Sequence, residues 1–175
     1  MSVLSDQATT QATQRWVLDR GMSSVEFRVR NFWGLTTVVG RFSRFDGSYT
    51  IGPDGRAVEL TVDAGSLDTG NRRRDEHLRS SDFFDVEPHP LVRFTATDVT
   101  DAGEGTLRVR GELEAAGRKA PLSFDVPVRE RDGELEAEAT TQVDHRLLGM
   151  TWSPLGMLRS PSTLHVKARL RSSDA

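Results

Sequence analysis

The chain has 175 residues, no Cys, and a net charge of −3 from 23 basic and 26 acidic side chains. That length fits one domain with a continuous core. Without Cys there is no disulfide framework, thiol nucleophile or zinc–thiolate site, and the balanced charge excludes a strongly basic nucleic-acid surface.

Residues 1–14 are polar and Thr/Gln-rich, and read as a disordered leader to a single domain over 15–172. They lack the basic and apolar regions of a secretory signal, so the expected location is the cytoplasm. No run reaches the 18 or so apolar residues of a membrane-spanning helix.

From Arg15 onward the period is two. Val25, Phe27, Val29 and Asn31 share one face of a segment, with Glu26, Arg28 and Arg30 on the other. Val58, Leu60 and Val62 alternate with charged and polar neighbours, as do Leu107, Val109, Gly111 and Leu113. Leu122, Phe124, Val126 and Val128 form another row, then Leu135, Ala137, Ala139, Thr141 and Val143, and last Leu164, Val166, Ala168 and Leu170. Such alternation marks antiparallel strands with one dry and one wet face. Gly52–Gly55, Asp101–Gly105, Ala116–Lys119 and Arg131–Glu134 supply hairpin turns between rows. Pro127 lies within a row and marks an edge, bulge or strand end.

Two segments break the pattern. Asp68-Thr69-Gly70-Asn71 offers helix caps ahead of a short helix near residues 71–82. Residues 146–160 form a long, unusually apolar loop, which in a compact domain is functional or mobile.

Eight or so one-sided strands predict a closed antiparallel barrel or a sandwich. Small residues on the inward rows (Ala96, Gly111, Ala137, Ala139, Thr141, Ala168) favour a barrel with a cavity over one packed solid around Phe and Trp. The four His residues, 77, 89, 145 and 165, show no metal-ligand spacing. There is no Gly-x-Ser-x-Gly elbow, phosphate loop or dinucleotide fingerprint. No catalytic residue, metal or cofactor is therefore expected, and a grouping of His77, Asp75 and Arg74 is the best that an enzyme reading has. Arg72, Arg73 and Arg74 at a helix start could meet an anion or pair with nearby carboxylates. Phe32, Trp33, Phe83, Phe84, Met150, Trp152 and Met157, near strand ends and loops, could close over a greasy ligand, plug the barrel or make a dimer face.

Several blocks, in order, resemble the YceI-like family of lipocalin-like barrels. They are Trp16-Val17-Leu18-Asp19 with Ser24-Val25-Glu26-Phe27-Arg28-Val29; Val39-Gly40-Arg41-Phe42 with Phe45-Asp46-Gly47; Ser66–Asn71; Arg74–Ser80; Asp82–Asp85; Pro90-Leu91-Val92-Arg93-Phe94; and Val109–Leu113. The resemblance runs from Trp16 to Leu170. It implies an all-β, eight-stranded antiparallel barrel with a long apolar pore that binds isoprenoid chains, such as polyprenyl phosphates or quinone tails, without established catalysis. Many members are periplasmic. This sequence departs from the family at Asn31, where many members carry His, and at Lys119, where Thr is usual.

Together these readings make the chain a carrier of an isoprenoid or similar lipid. The expected lining is Phe27, Val29, Asn31, Leu60, Val62, Phe94, Val109, Phe124, Val126 and Trp152. Arg72, Arg73 and Arg74, with Asn31, are candidates for meeting a polar head. The competing reading is a filled barrel that docks a partner, or a second copy of itself, through 146–160.

Overall fold

The computed structural model describes residues 12–31, 35–152 and 159–173. It contains β1 Gln14–Leu18, β2 Ser24–Asn31, β3 Thr36–Phe42, β4 Phe45–Gly52, β5 Gly55–Asp63, β6 Leu67–Asp68, α1 Arg72–Arg79, β7 Leu91–Gly103, β8 Thr106–Ala115, β9 Arg118–Arg131, β10 Glu134–Val143 and β11 Arg159–Ser172. β1 begins at Gln14, one residue inside the segment read as a polar leader; residues 1–11 lie outside the described residues.

The strands form a closed antiparallel barrel of eight staves. Three staves are kinked and so appear as two segments each. β1 and β2 lie along one edge of β11, with Leu18 opposite Leu170 and Ser24 opposite Lys167. A 3-10 turn at Arg20–Met22 interrupts them, its Gly21 amide donating to the Asp19 carboxylate at 2.9 Å. β3 and β4 continue each other across Ser43-Arg44, facing β2 and β1 respectively. β5 and β6 do the same across Ala64–Ser66, where Asp63 caps a second 3-10 turn. The other edge of β11 pairs with β10, so β11 joins the last stave to the first. The β1–β11 pairing closes the sheet on itself, and this selects the barrel over the sandwich.

The turns follow the local chemistry. Glu104-Gly105, Ala116-Gly117 and Asp132-Gly133 all have positive φ. Two successive positive φ angles are what a tight two-residue hairpin with native strand twist requires. Pro127 sits opposite Thr106, where β8 begins, so its missing N–H falls at a strand end.

The barrel has two ends. The base carries the short hairpins after β4, β7 and β9, and the paired rings of Trp16 and Tyr49, stacked at 5.6 Å. The mouth carries α1 and the connections around 69–90 and 144–152; the rest of the predicted 146–160 loop, residues 153–158, lies outside the described residues. α1 is shorter than the expected 71–82. The Asn71 side chain accepts from the Arg74 amide at 3.0 Å to start it, and the Ser80 amide closes it onto the His77 carbonyl. Two arginines moor it to β6. Arg74 donates to the Thr69 hydroxyl and carbonyl, each at 2.8 Å, and Arg79 donates to the Gly65 and Leu67 carbonyls.

Candidate ligand-binding cavity

A cavity of about 690 Å³ occupies the barrel axis. Its size falls within the roughly 300–1,000 Å³ of small-molecule sites. Phe27, Val29, Leu60, Val62, Phe94, Val109, Phe124, Val126 and Trp152 all border it. Asn31 ends β2 opposite Thr36, but its side chain lies outside the described residues, as do Phe32, Trp33 and Met157.

The alternating rows explain why the lining is apolar, and residue size explains why it is open. Ala137, Ala139 and Thr141 of β10 and Ala168 of β11 border the space with short side chains. Not every small inward residue makes room, however. Ala96 is packed to 3% exposure. A Cβ at Gly111 would lie 2.3 Å from the Thr95 carbonyl, 2.7 Å from Ala96 Cβ and 2.8 Å from the Phe94 ring. Gly111 is therefore small so that Phe94 can lie against the wall, not to widen the lumen.

An aromatic cluster stands at the mouth. Trp152 meets His77 edge-on at a ring separation of 4.2 Å, and Phe83 lies 5.2 Å from His77 and 5.8 Å from Trp152. His77 Nε2 is 2.9 Å from an Asp82 carboxylate oxygen, which sets the ring's orientation. Trp152 remains 41% exposed.

The three arginines at the helix start separate. Arg72 points to solvent, pairs with Glu76 at 3.1 Å, and does not border the cavity. Arg74 borders it but spends its guanidinium on Thr69. Arg73 borders it, is exposed, and has no ion-pair partner among the described residues. The His77, Asp75 and Arg74 grouping does not assemble either. Asp75 is buried and accepts from the Thr69 amide and hydroxyl, while His77 turns to Asp82.

Sequence reasoning missed a polar pair in the lining. His145 and Ser162 are 9% and 5% exposed, both border the cavity, and His145 Nδ1 lies 2.7 Å from Ser162 Oγ. Burial pushes the His145 imidazole below its ordinary pKa; Asp144 opposes that shift and Arg146 adds to it. The signal was in the period: residue 145 continues the inward row 137-139-141-143, and residue 162 continues 170-168-166-164. In a catalytic Ser–His pair the serine sits on Nε2 while a carboxylate holds Nδ1. Here the serine occupies Nδ1, and no carboxylate holds the ring among the described residues. The contact fixes the orientation of the imidazole. No cluster of three metal-ligating side chains occurs among the described residues.

A family model for the YceI-like domain matches residues 16–170. The chain belongs to the YceI-like family. It is similar to UPF0312 proteins: one from Vibrio cholerae is 38% identical over 103 residues, covering 57% of this chain and 54% of that protein. One from Shewanella baltica is 34% identical over 129 residues, covering 71% and 66%. The chain thus spans about half the length of the first curated relatives it matches. Among solved structures, Burkholderia cenocepacia BcnA superposes with a TM-score of 0.79 at 16% identity, covering 87% of this chain and 98% of that one. A polyisoprenoid binding domain from Saccharophagus degradans gives 0.73 at 13%, covering 90% and 98%. These likenesses, at low identity, establish a shared YceI-like barrel fold.

Proposed function

We propose that this YceI-like barrel is a non-catalytic carrier that holds one long apolar chain, isoprenoid or similar, along its axis. The observation that carries the reading is the axial cavity of about 690 Å³, lined by inward strand rows of Val, Leu, Phe and Ala. Burying a chain there gains roughly 25 cal/mol per Å² of apolar surface, less the cost of ordering a flexible ligand. The solved polyisoprenoid binding domain with the same fold supports the isoprenoid class. The polar end is assigned to the mouth, because the Trp16 and Tyr49 rings stack at the base. The filled-scaffold alternative needs a barrel packed solid, and this lumen is open.

The direct test is titration of the delipidated protein with geranylgeraniol, followed by intrinsic Trp fluorescence and calorimetry. The reading expects saturable uptake near one per chain, with the Trp152 emission shifted. Absence of uptake of any prenyl compound by folded protein overturns it.

A further inference from the structure

We propose that the His145–Ser162 pair is the polar recognition site of this cavity, and that it selects an apolar ligand carrying a neutral oxygen, a hydroxyl or ketone, over one ending in phosphate. This rests on the carrier reading above.

The pair lies in the cavity wall at the mouth end, where β10 and β11 part: Val143 opposite Ser162 ends their ladder. Both side chains are more than nine-tenths buried. The short contact from Ser162 Oγ uses Nδ1. The other ring nitrogen, Nε2, has no hydrogen-bond partner among the described residues, although the residue borders the cavity. No buried side-chain nitrogen or oxygen among the described residues lacks a partner, so Nε2 is open to the lumen, where a ligand can bring it one. In the tautomer in which the serine hydroxyl donates to Nδ1, Nε2 carries the proton and can donate to an oxygen.

The charge balance decides what kind of oxygen. Asp144 is the nearest carboxylate in sequence, and Arg146 clasps both its oxygens at 2.9 and 2.8 Å. Their opposite charges act on the ring in opposite directions. A phosphate placed against the pair would be stripped of water by the surrounding apolar wall. Of the three arginines at the mouth, Arg72 and Arg74 are engaged with Glu76 and Thr69, and Arg73 stands exposed on the helix. A single neutral donor in a dry wall matches a single neutral acceptor.

The experiment compares three probes sharing one prenyl skeleton: geranylgeraniol, geranylgeranyl phosphate and the corresponding hydrocarbon. For the native chain the alcohol is expected to bind about tenfold tighter than the hydrocarbon, as one buried hydrogen bond provides, and tighter than the phosphate. His145→Phe keeps the ring volume and should erase the preference while hydrocarbon binding stays. His145→Gln, which restores an N–H, should recover part of it. Ser162→Ala should weaken the preference by freeing the ring. Equal affinities for alcohol and hydrocarbon in the native chain overturn the proposal, as does a preference that survives His145→Phe. Should that variant not fold, the native-chain ratio and Ser162→Ala decide alone. If folded native protein takes up none of the three, the carrier reading itself fails; if it takes up all three alike, only this inference fails.

Discussion

The Phe27 ring lies so close over its cross-strand partner Gly40 that a Cβ at residue 40 would sit 2.2 Å from Phe27 Cε1. The glycine lets the ring lie back into the wall, where it also packs 5.7 Å from Phe42 and 5.9 Å from Phe84. Gly40→Val should push the ring toward the lumen. It should cost about 1–3 kcal/mol in a denaturant titration, as overpacked sites do, and reduce prenyl uptake together with stability. Wild-type uptake in the variant would show that the lumen does not depend on this seat.

Filling the cavity separates binding from folding more cleanly. Ala139 borders the lumen and is only half-buried, so a larger side chain there enters free space. Ala139→Phe should leave the unfolding free energy within about 1.5 kcal/mol of wild type while abolishing uptake of long prenyl chains. Val109 is 1% exposed, so Val109→Asp should lose the fold as well, because an unpaired charge would be buried.

The mooring of α1 yields a paired comparison. Arg74 makes two hydrogen bonds to Thr69, beside the buried Asp75 carboxylate. Arg74→Met should cost about 1–3 kcal/mol, since it leaves the Thr69 carbonyl and hydroxyl oxygens short of donors. Arg72 pairs with Glu76 in full solvent, and Arg72→Ala should change stability by about 0.5 kcal/mol or less. Thermal melts of the two variants side by side check this.

Burial of His145 also sets a pH dependence. Its folded pKa lies below the unfolded value of about 6.5, so the unfolded chain binds the proton more readily. Its contribution therefore favours the fold fully above that value and is lost as pH falls from it through the lower folded value. Glu26 titrates in a lower window. The Arg41 guanidinium at 2.8 Å holds its carboxyl below the usual range against an opposing push from burial, so its contribution is lost only in stronger acid. Melting temperature should fall between pH 7.5 and 5.5, and His145→Gln should flatten that fall. An unchanged profile in the variant would remove His145 as the cause.

The fold was legible because the inward rows alternate cleanly and the turns carry Gly where the backbone needs positive φ. The kinks were not. Asp19 and Asp63 each cap a 3-10 turn within a stave, and nothing in a two-residue period announces where a strand bends. Most of the lining was legible for the same reason as the fold. Gly111 misled, because a small residue can seat a neighbour's ring instead of leaving room. The three consecutive arginines looked alike in sequence, yet helix geometry sends one to Glu76, one to Thr69 and one to the mouth. His145 was hidden because it was weighed only for metal-ligand spacing, although it stands at the strand end one inward step past Val143.

Native mass spectrometry of the protein purified without detergent, followed by denaturing extraction, tests the carrier account most directly. It predicts an apolar, prenyl-type lipid at close to one per chain, displaced in the Ala139→Phe variant. A lipid-free protein that also takes up no prenyl compound offered to it would contradict the account.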